Sequence, residues 1–111
     1  MVEYESQTDA VFRAMADPTR RAMVEQLSKG SLSVGDLARP FDMSLAGASK
    51  HLGVLEEAGI IEREKRGRER VCTLKPHGLF ALRDWVQTYS RFWEMRFDRL
   101  DKALQEDDGD V

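Results

Sequence analysis

The sequence predicts a mostly α fold with one small β-hairpin, a winged helix-turn-helix in the order α-α-α-α-β-β-α, with its terminal helices in a dimer interface. Three observations carry that expectation. Ser33 to Gly59 holds two short capped helical segments separated by Pro40. Ile60-Ile61 and Val71-Cys72-Thr73-Leu74 flank a charged run containing Gly67, which is the pattern of two strands and a tight turn. From Leu79 to Leu104, large apolar residues recur at spacings of three and four. The 111 residues suffice for one domain, with an ordered core over 8–104 and an acidic, disordered tail over 105–111.

Each element has a local reason. Thr8 and Asp9 start a short helix through Met15, with Val11, Phe12 and Met15 apolar. Asp17 is a cap and Pro18 the first helical residue of a second helix, which runs to about Ser28 and is closed by Gly30. Its Ala22, Met23 and Leu27 face inward. Ser33 caps a third helix over 34–39 that buries Val34, Leu37 and Ala38, and Pro40 stops it because proline lacks the N–H that the next turn needs. Ser44 caps a fourth helix from Leu45 to about Ala58, and Gly59 ends it. Pro76 opens the last and longest helix, to about Leu104.

The fourth helix shows which way it faces. At 100° per residue, Leu45, Ala48, Leu52 and Leu55 form one stripe that is expected to be buried. Ala46, Gly47 and Lys50 lie opposite, with Ser49 and His51 on the flanks. Small residues and a lysine let the first turns approach an anionic groove closely, and those turns are the ones that reach base edges in a recognition helix. The segment over 62–70 holds five basic residues, and arginines at a hairpin tip contact phosphate or enter a minor groove. Its three interleaved glutamates give a competing expectation, in which the arginines pair locally and the hairpin is only a solvated turn.

These blocks resemble a known family. Asp17-Pro18-Thr19-Arg20-Arg21, then Leu32-Ser33-Val34-Gly35-Asp36-Leu37-Ala38, then Ser49-Lys50-His51-Leu52-Gly53-Val54-Leu55-Glu56-Glu57-Ala58-Gly59-Ile60-Ile61 are similar to the ArsR/SmtB family of bacterial winged-helix transcriptional repressors, in family order and spacing. The likeness spans about Val11 to Leu104. It implies a homodimer on double-stranded operator DNA, with Ser44, Leu45, Ala46, Gly47, Ser49, Lys50 and His51 in the DNA-reading segment. Lys65, Arg66, Arg68 and Arg70 join them from the wing. Many relatives carry Gln-Pro where this chain has Leu45-Ala46, so a polar base reader is missing. Metal-responsive relatives place cysteines on the first helix of the motif, or Asp and His pairs on the last helix. The corresponding segment over 33–37 has no thiol, and Cys72, His77 and Asp84 lie at no ligand spacing, so no metal or other cofactor is expected. Cys72 is expected to be a small apolar residue on a wing strand.

Charge is uneven along the chain. The net charge of −3 divides into −2 over 1–43, +2 over 44–75 and −3 over 76–111, so the positive region is the proposed DNA face. The last helix carries more large apolar side chains than so small a domain covers alone. Self-association is therefore expected through Val11, Phe12, Met15, Tyr89, Phe92, Trp93, Phe97 and Leu100. No nucleophile motif or phosphate loop occurs, and Ser49 and His51 point about 200° apart on one helix, so an enzyme is not expected. One cysteine and an acidic N-terminus over 1–5 without an apolar run point to the cytoplasm, with nucleoid association when DNA is bound, and no membrane partner. Two other functions fit less of the chain. One is a winged-helix protein-interaction module that leaves DNA alone; the other is a sensor whose unknown effector enters an apolar pocket by Trp85, Phe92 or Trp93.

Overall fold

Local capping chemistry sets the starts of the first four helices. A computed structural model describes residues 6–109, with side chains over 6–106. Helix α1 (Gln7–Met15) is capped by Ser6, whose side chain accepts from the Asp9 N–H, two residues before Thr8 and three before Asp9, where the start was expected. Asp17 caps α2 (Pro18–Leu27) through a 3.0 Å bond from the Arg20 N–H. Ser33 caps α3 (Val34–Ala38) and Ser44 caps α4 (Leu45–Glu57), each with a side-chain oxygen on the N–H three residues ahead. Strand β2 (Ile61–Arg66) turns at Gly67, φ +63°, into β3 (Glu69–Leu74), a two-residue loop that wants glycine at its first position. Helix α5 (Phe80–Gly109) follows.

Four details differ from expectation. Pro40 does not end the third helix abruptly; the chain tightens into a 3-10 turn (Arg39–Phe41), which tolerates proline near its start, and reverses at Asp42, φ +51°. The hairpin gains a third strand, β1 (Leu32–Ser33), which pairs antiparallel with β3 so that the order is β1-β3-β2. Two residues give no alternation to read. Pro76 does not open α5: residues 76–79 form turns, and Gly78 passes so close to the α4–β2 junction that a Cβ there would sit 2.6 Å from the Gly59 carbonyl oxygen. The helix therefore begins four residues later. It also continues to Gly109 through most of the segment expected to be a disordered tail, while Asp110 and Val111 lie outside the described residues, as do residues 1–5.

The core is a single cluster under the sheet and the helix-turn-helix. Met23, Leu37, Leu52, Leu55, Ile60, Ile61, Val11 and Cys72 have almost no exposed surface. Val34 and Ala22 are only half-buried. The Cys72 thiol sits among these side chains on β3, and its burial pushes its pKa up. Helix α1 lies between this body and the start of α5, where Phe12 meets Trp85 edge-on at 5.2 Å between ring centres. The rest of α5 runs clear of the body. The radius of gyration is 20.0 Å, against about 13 Å for a compact domain of this length.

Candidate nucleic-acid interface

The first turn of α4, α3 and the wing enclose an open groove of about 520 Å³. Leu45, Ala46, Ser49, Arg68 and Arg70 line it together with Ser33, Val34, Gly35 and Arg39, and with the carboxylates Asp36 and Glu69. Among the DNA-reading residues expected from sequence, these are the ones the fold brings to one surface. Lys50, Lys65 and Arg66 are also exposed, on α4 and β2. Arg39, 78% exposed and 3.4 Å from Asp36, is an addition that sequence reasoning did not single out.

Leu45 contradicts its expected position. It is 63% exposed, whereas Ala48, Leu52 and Leu55 have no exposed surface. The stripe ends one turn early because the first residue of α4 projects past the core and over Gly35 of α3; a Cβ added there would lie 3.8 Å from Leu45 Cδ2. Gly47 is half-buried, and a Cβ at that position would press to 3.2 Å on Ser44 Oγ, the cap atom. That oxygen is already accepting the Gly47 N–H at 3.0 Å.

Two residues expected to read bases also make contacts within the subunit. Ser49 Oγ accepts a 2.9 Å bond from Arg63 Nη1, and the same guanidinium bonds Glu56 Oε1 at 3.0 Å. Arg63 thus ties β2 to α4 and fixes the angle between helix and wing. His51 turns toward α2, with its Nδ1 3.3 Å from Arg20 Nη1. Arginine can only donate, so Nδ1 accepts. Arg20 also donates to the Ala14 carbonyl at 2.7 Å, so it locks the α1–α2 corner to α4.

The glutamates of the wing are sorted by the strand period. Successive residues of a strand face opposite ways, and the register sets Lys65 against Arg70 and Arg63 against Cys72. Arg63, Lys65 and Arg70 therefore share the face that turns toward α4, while Glu62, Glu64, Arg66 and Glu69 share the other. One local pair forms, Arg66 with Glu64 at 3.2 Å, between two exposed side chains of that second face. Among the described residues Lys50, Lys65, Arg68 and Arg70 have no ion pair. Like charges directly across a sheet disfavour a hairpin, so the Lys65–Arg70 pair costs stability in the free protein that a polyanion would return.

Known proteins are similar to this chain in sequence and fold. A family described as a helix-turn-helix domain matches residues 15–64. The HTH-type transcriptional regulator Rv2034 of Mycobacterium tuberculosis is 45% identical over 85 residues, covering 77% of each chain. A crystal structure of an ArsR family transcriptional regulator, RHA00566, superposes with a TM-score of 0.74 at 40% identity, over 85% of this chain and 97% of that one. The chain belongs to the ArsR/SmtB family. As an ArsR/SmtB protein it is a DNA-binding transcriptional regulator rather than an enzyme. A shorter match, 38% identical over 58 residues, is the transcriptional repressor SdpR of Bacillus subtilis, covering 52% of this chain and 64% of that one.

The residues expected at a subunit interface fall into two groups. Tyr89, Phe92, Trp93, Phe97 and Leu100 lie open along α5, each about half exposed or more. Phe12 and Met15 are half-buried against their own subunit. Val11 is enclosed in its own core at 0% exposure and has no surface to give a second chain, which corrects its assignment. Among the described residues no three of His, Cys, Asp and Glu converge, and no helix is long and apolar enough to cross a membrane.

Proposed function

We propose that this regulator is a homodimeric repressor that binds an inverted-repeat operator without sensing a metal ion, in the cytoplasm of a bacterial cell. One observation carries the DNA contact: Lys65 and Arg70 of the wing, neither in an ion pair among the described residues, share the face turned toward α4, beside the exposed first turn of that helix. Helix α4 enters the major groove with its N-terminal end, and Lys50 with the Arg68–Arg70 edge of the wing meets phosphate on either side.

The dimer rests on α5. Leu82, Val86, Tyr89, Trp93, Phe97, Leu100 and Leu104 follow spacings of 4, 3, 4, 4, 3 and 4, which read the same in both directions about Trp93. A two-fold antiparallel helix pair centred on Trp93 sets Val86 opposite Leu100 and Tyr89 opposite Phe97 across the interface. Two-fold symmetry then presents two copies of α4, with half-site centres about 10 bp, or a multiple of that, apart. No cluster of thiol, imidazole and carboxylate groups in the described residues supplies the ligands that a zinc, cadmium or arsenite switch needs, and Cys72 is sealed in the core.

A salt titration of duplex binding tests the contact. Wild-type affinity should fall steeply with salt, and Lys65→Ala with Arg70→Ala should flatten the log–log slope by about one unit per lost phosphate contact. Unchanged slopes would remove the wing from the interface. Absence of any duplex binding would leave a protein-interaction module. Stoichiometric zinc, cadmium or arsenite should leave operator affinity unchanged, and a metal effect abolished by Cys72→Ser would overturn the metal-free reading.

A further inference from the structure

We infer that Leu45 and Ala46 read the C5-methyl group of thymine in the major groove, so that operator recognition by this protein depends on methyl-bearing pyrimidines. The inference rests on the DNA-binding reading above and adds which chemical group is recognised.

Leu45 is a large apolar side chain at 63% exposure on the first turn of α4, outside the buried core. Ala48, Leu52 and Leu55 already complete the buried stripe. Ala46 beside it is also exposed, and with Val34 and Gly35 the two make an apolar floor to the 520 Å³ groove. Arg39, Arg68 and Arg70 line the same groove and outnumber its carboxylates, Asp36 and Glu69, so its charge is net positive. An open groove with apolar lining and a net positive charge suits a duplex, with sugar-phosphate at the arginines and a base edge at Leu45 and Ala46.

The neighbouring polar groups are partly engaged within the subunit. Ser44 Oγ accepts the Gly47 N–H, Ser49 Oγ accepts from Arg63 and His51 Nδ1 from Arg20, so what they keep for a base edge is a donor, the two hydroxyl protons and the Nε2–H. Lys50 remains as the polar side chain of the first two turns without such a commitment. In the major groove the four base pairs differ in their donors and acceptors, and thymine alone of the standard bases adds an apolar group, its methyl. An exposed leucine and alanine at the reading end of the helix match that group and no other standard base edge.

Replacing thymine by deoxyuridine, one position at a time, in a duplex selected from a random library isolates the methyl. The substitution removes one carbon and leaves pairing and the O4 acceptor intact. Wild-type protein should lose about fourfold in affinity per contacted methyl, at one or two positions in each half-site, as expected for one buried carbon. Leu45→Ala, or Ala46→Gly for the adjacent position, should bring the thymine-to-uracil ratio at that site to about one. Changing cytosine to 5-methylcytosine at the same position should strengthen wild-type binding and leave Leu45→Ala unmoved. Equal affinity for thymine and uracil duplexes at every position would overturn the methyl reading and leave DNA binding intact. A ratio that persists in both variants would assign the methyl to another residue and overturn it as well. A protein that binds no duplex fails at the earlier reading instead, and the two failures are separate results.

Discussion

Helices α4 and α5 both carry an apolar stripe at helical spacing, and the two stripes meet opposite fates. Ala48, Leu52 and Leu55 of α4 have no exposed surface, covered by the sheet and by α1 to α3. Tyr89, Trp93, Phe97 and Leu100 of α5 are each about half exposed, along a helix of 30 residues whose far end runs beyond its own subunit. Burying a side chain of this size contributes about 1.5–3 kcal/mol. The body has collected that contribution from its own chain, while α5 still holds most of its share in reserve. A periodic stripe thus shows that a face must be covered, without saying by which chain.

The comparison breaks most visibly at Leu52. Leu52→Ala should destabilise the subunit by about 2–5 kcal/mol in denaturant titrations, a loss that is the same at every protein concentration. A loss that varied with concentration would mean that α4 too depends on a second copy. The mirror experiment is Trp93→Glu combined with Phe97→Glu. These changes should leave the folded body and its circular dichroism in place, yet shift sedimentation at micromolar concentration from dimer to monomer and abolish the concentration dependence of the melting temperature. A wild-type protein that sediments as a monomer under those conditions would show that the α5 stripe needs no partner.

Smaller effects sharpen the account of the body. The Arg20 N–H bond is the main cause that holds the Asp17 carboxyl below its ordinary pKa. A lowered pKa contributes stability that is complete above the ordinary value of 3.8 and is lost as pH falls through the folded-state value. Asp17→Ala should cost about 1 kcal/mol at neutral pH, the usual worth of such a cap, and its melting temperature should fall less steeply than that of wild type below about pH 4. Near-parallel acid profiles for the two proteins would mean the cap is not charge-dependent. The smallest effect belongs to Cys72. Its raised pKa keeps the thiol protonated in the fold, so stability should decline as pH climbs above the ordinary thiol value of 9.0. Thiol reagents should label native protein slowly and unfolded protein fast, and prompt native labelling would place the group at the surface.

Much of this could be read from residue order because it depends on neighbours within a few positions. Asp17, Ser33 and Ser44 cap because their oxygens reach an N–H three residues on, and Gly67 turns because it alone takes φ +63° without strain. The segregation of charge on the wing was also present in the alternation Glu62, Arg63, Glu64, Lys65, but a run of mixed charge reads as neutral until the strand period is applied to it. Three features lay outside any local window. Strand β1 exists because β3 offers it an edge, α5 starts late because Gly78 is pressed against the α4–β2 junction, and Ser49 and His51 are engaged by Arg63 and Arg20, which lie 14 and 31 residues away.

The sequence by itself determined the order of the helices and the hairpin, the caps that start α2, α3 and α4, the turn of the wing, and the family, since each depends on short-range sterics, on hydrogen bonds within a turn, or on motif spacing. Only the tertiary structure decided which side chains remain available. It withdrew Val11 into the core, turned Ser49 and His51 into braces, and left Leu45 open at the mouth of the groove. Availability depends on what the rest of the chain places against a residue, and helical periodicity assigns a face without knowing where the covering surface ends.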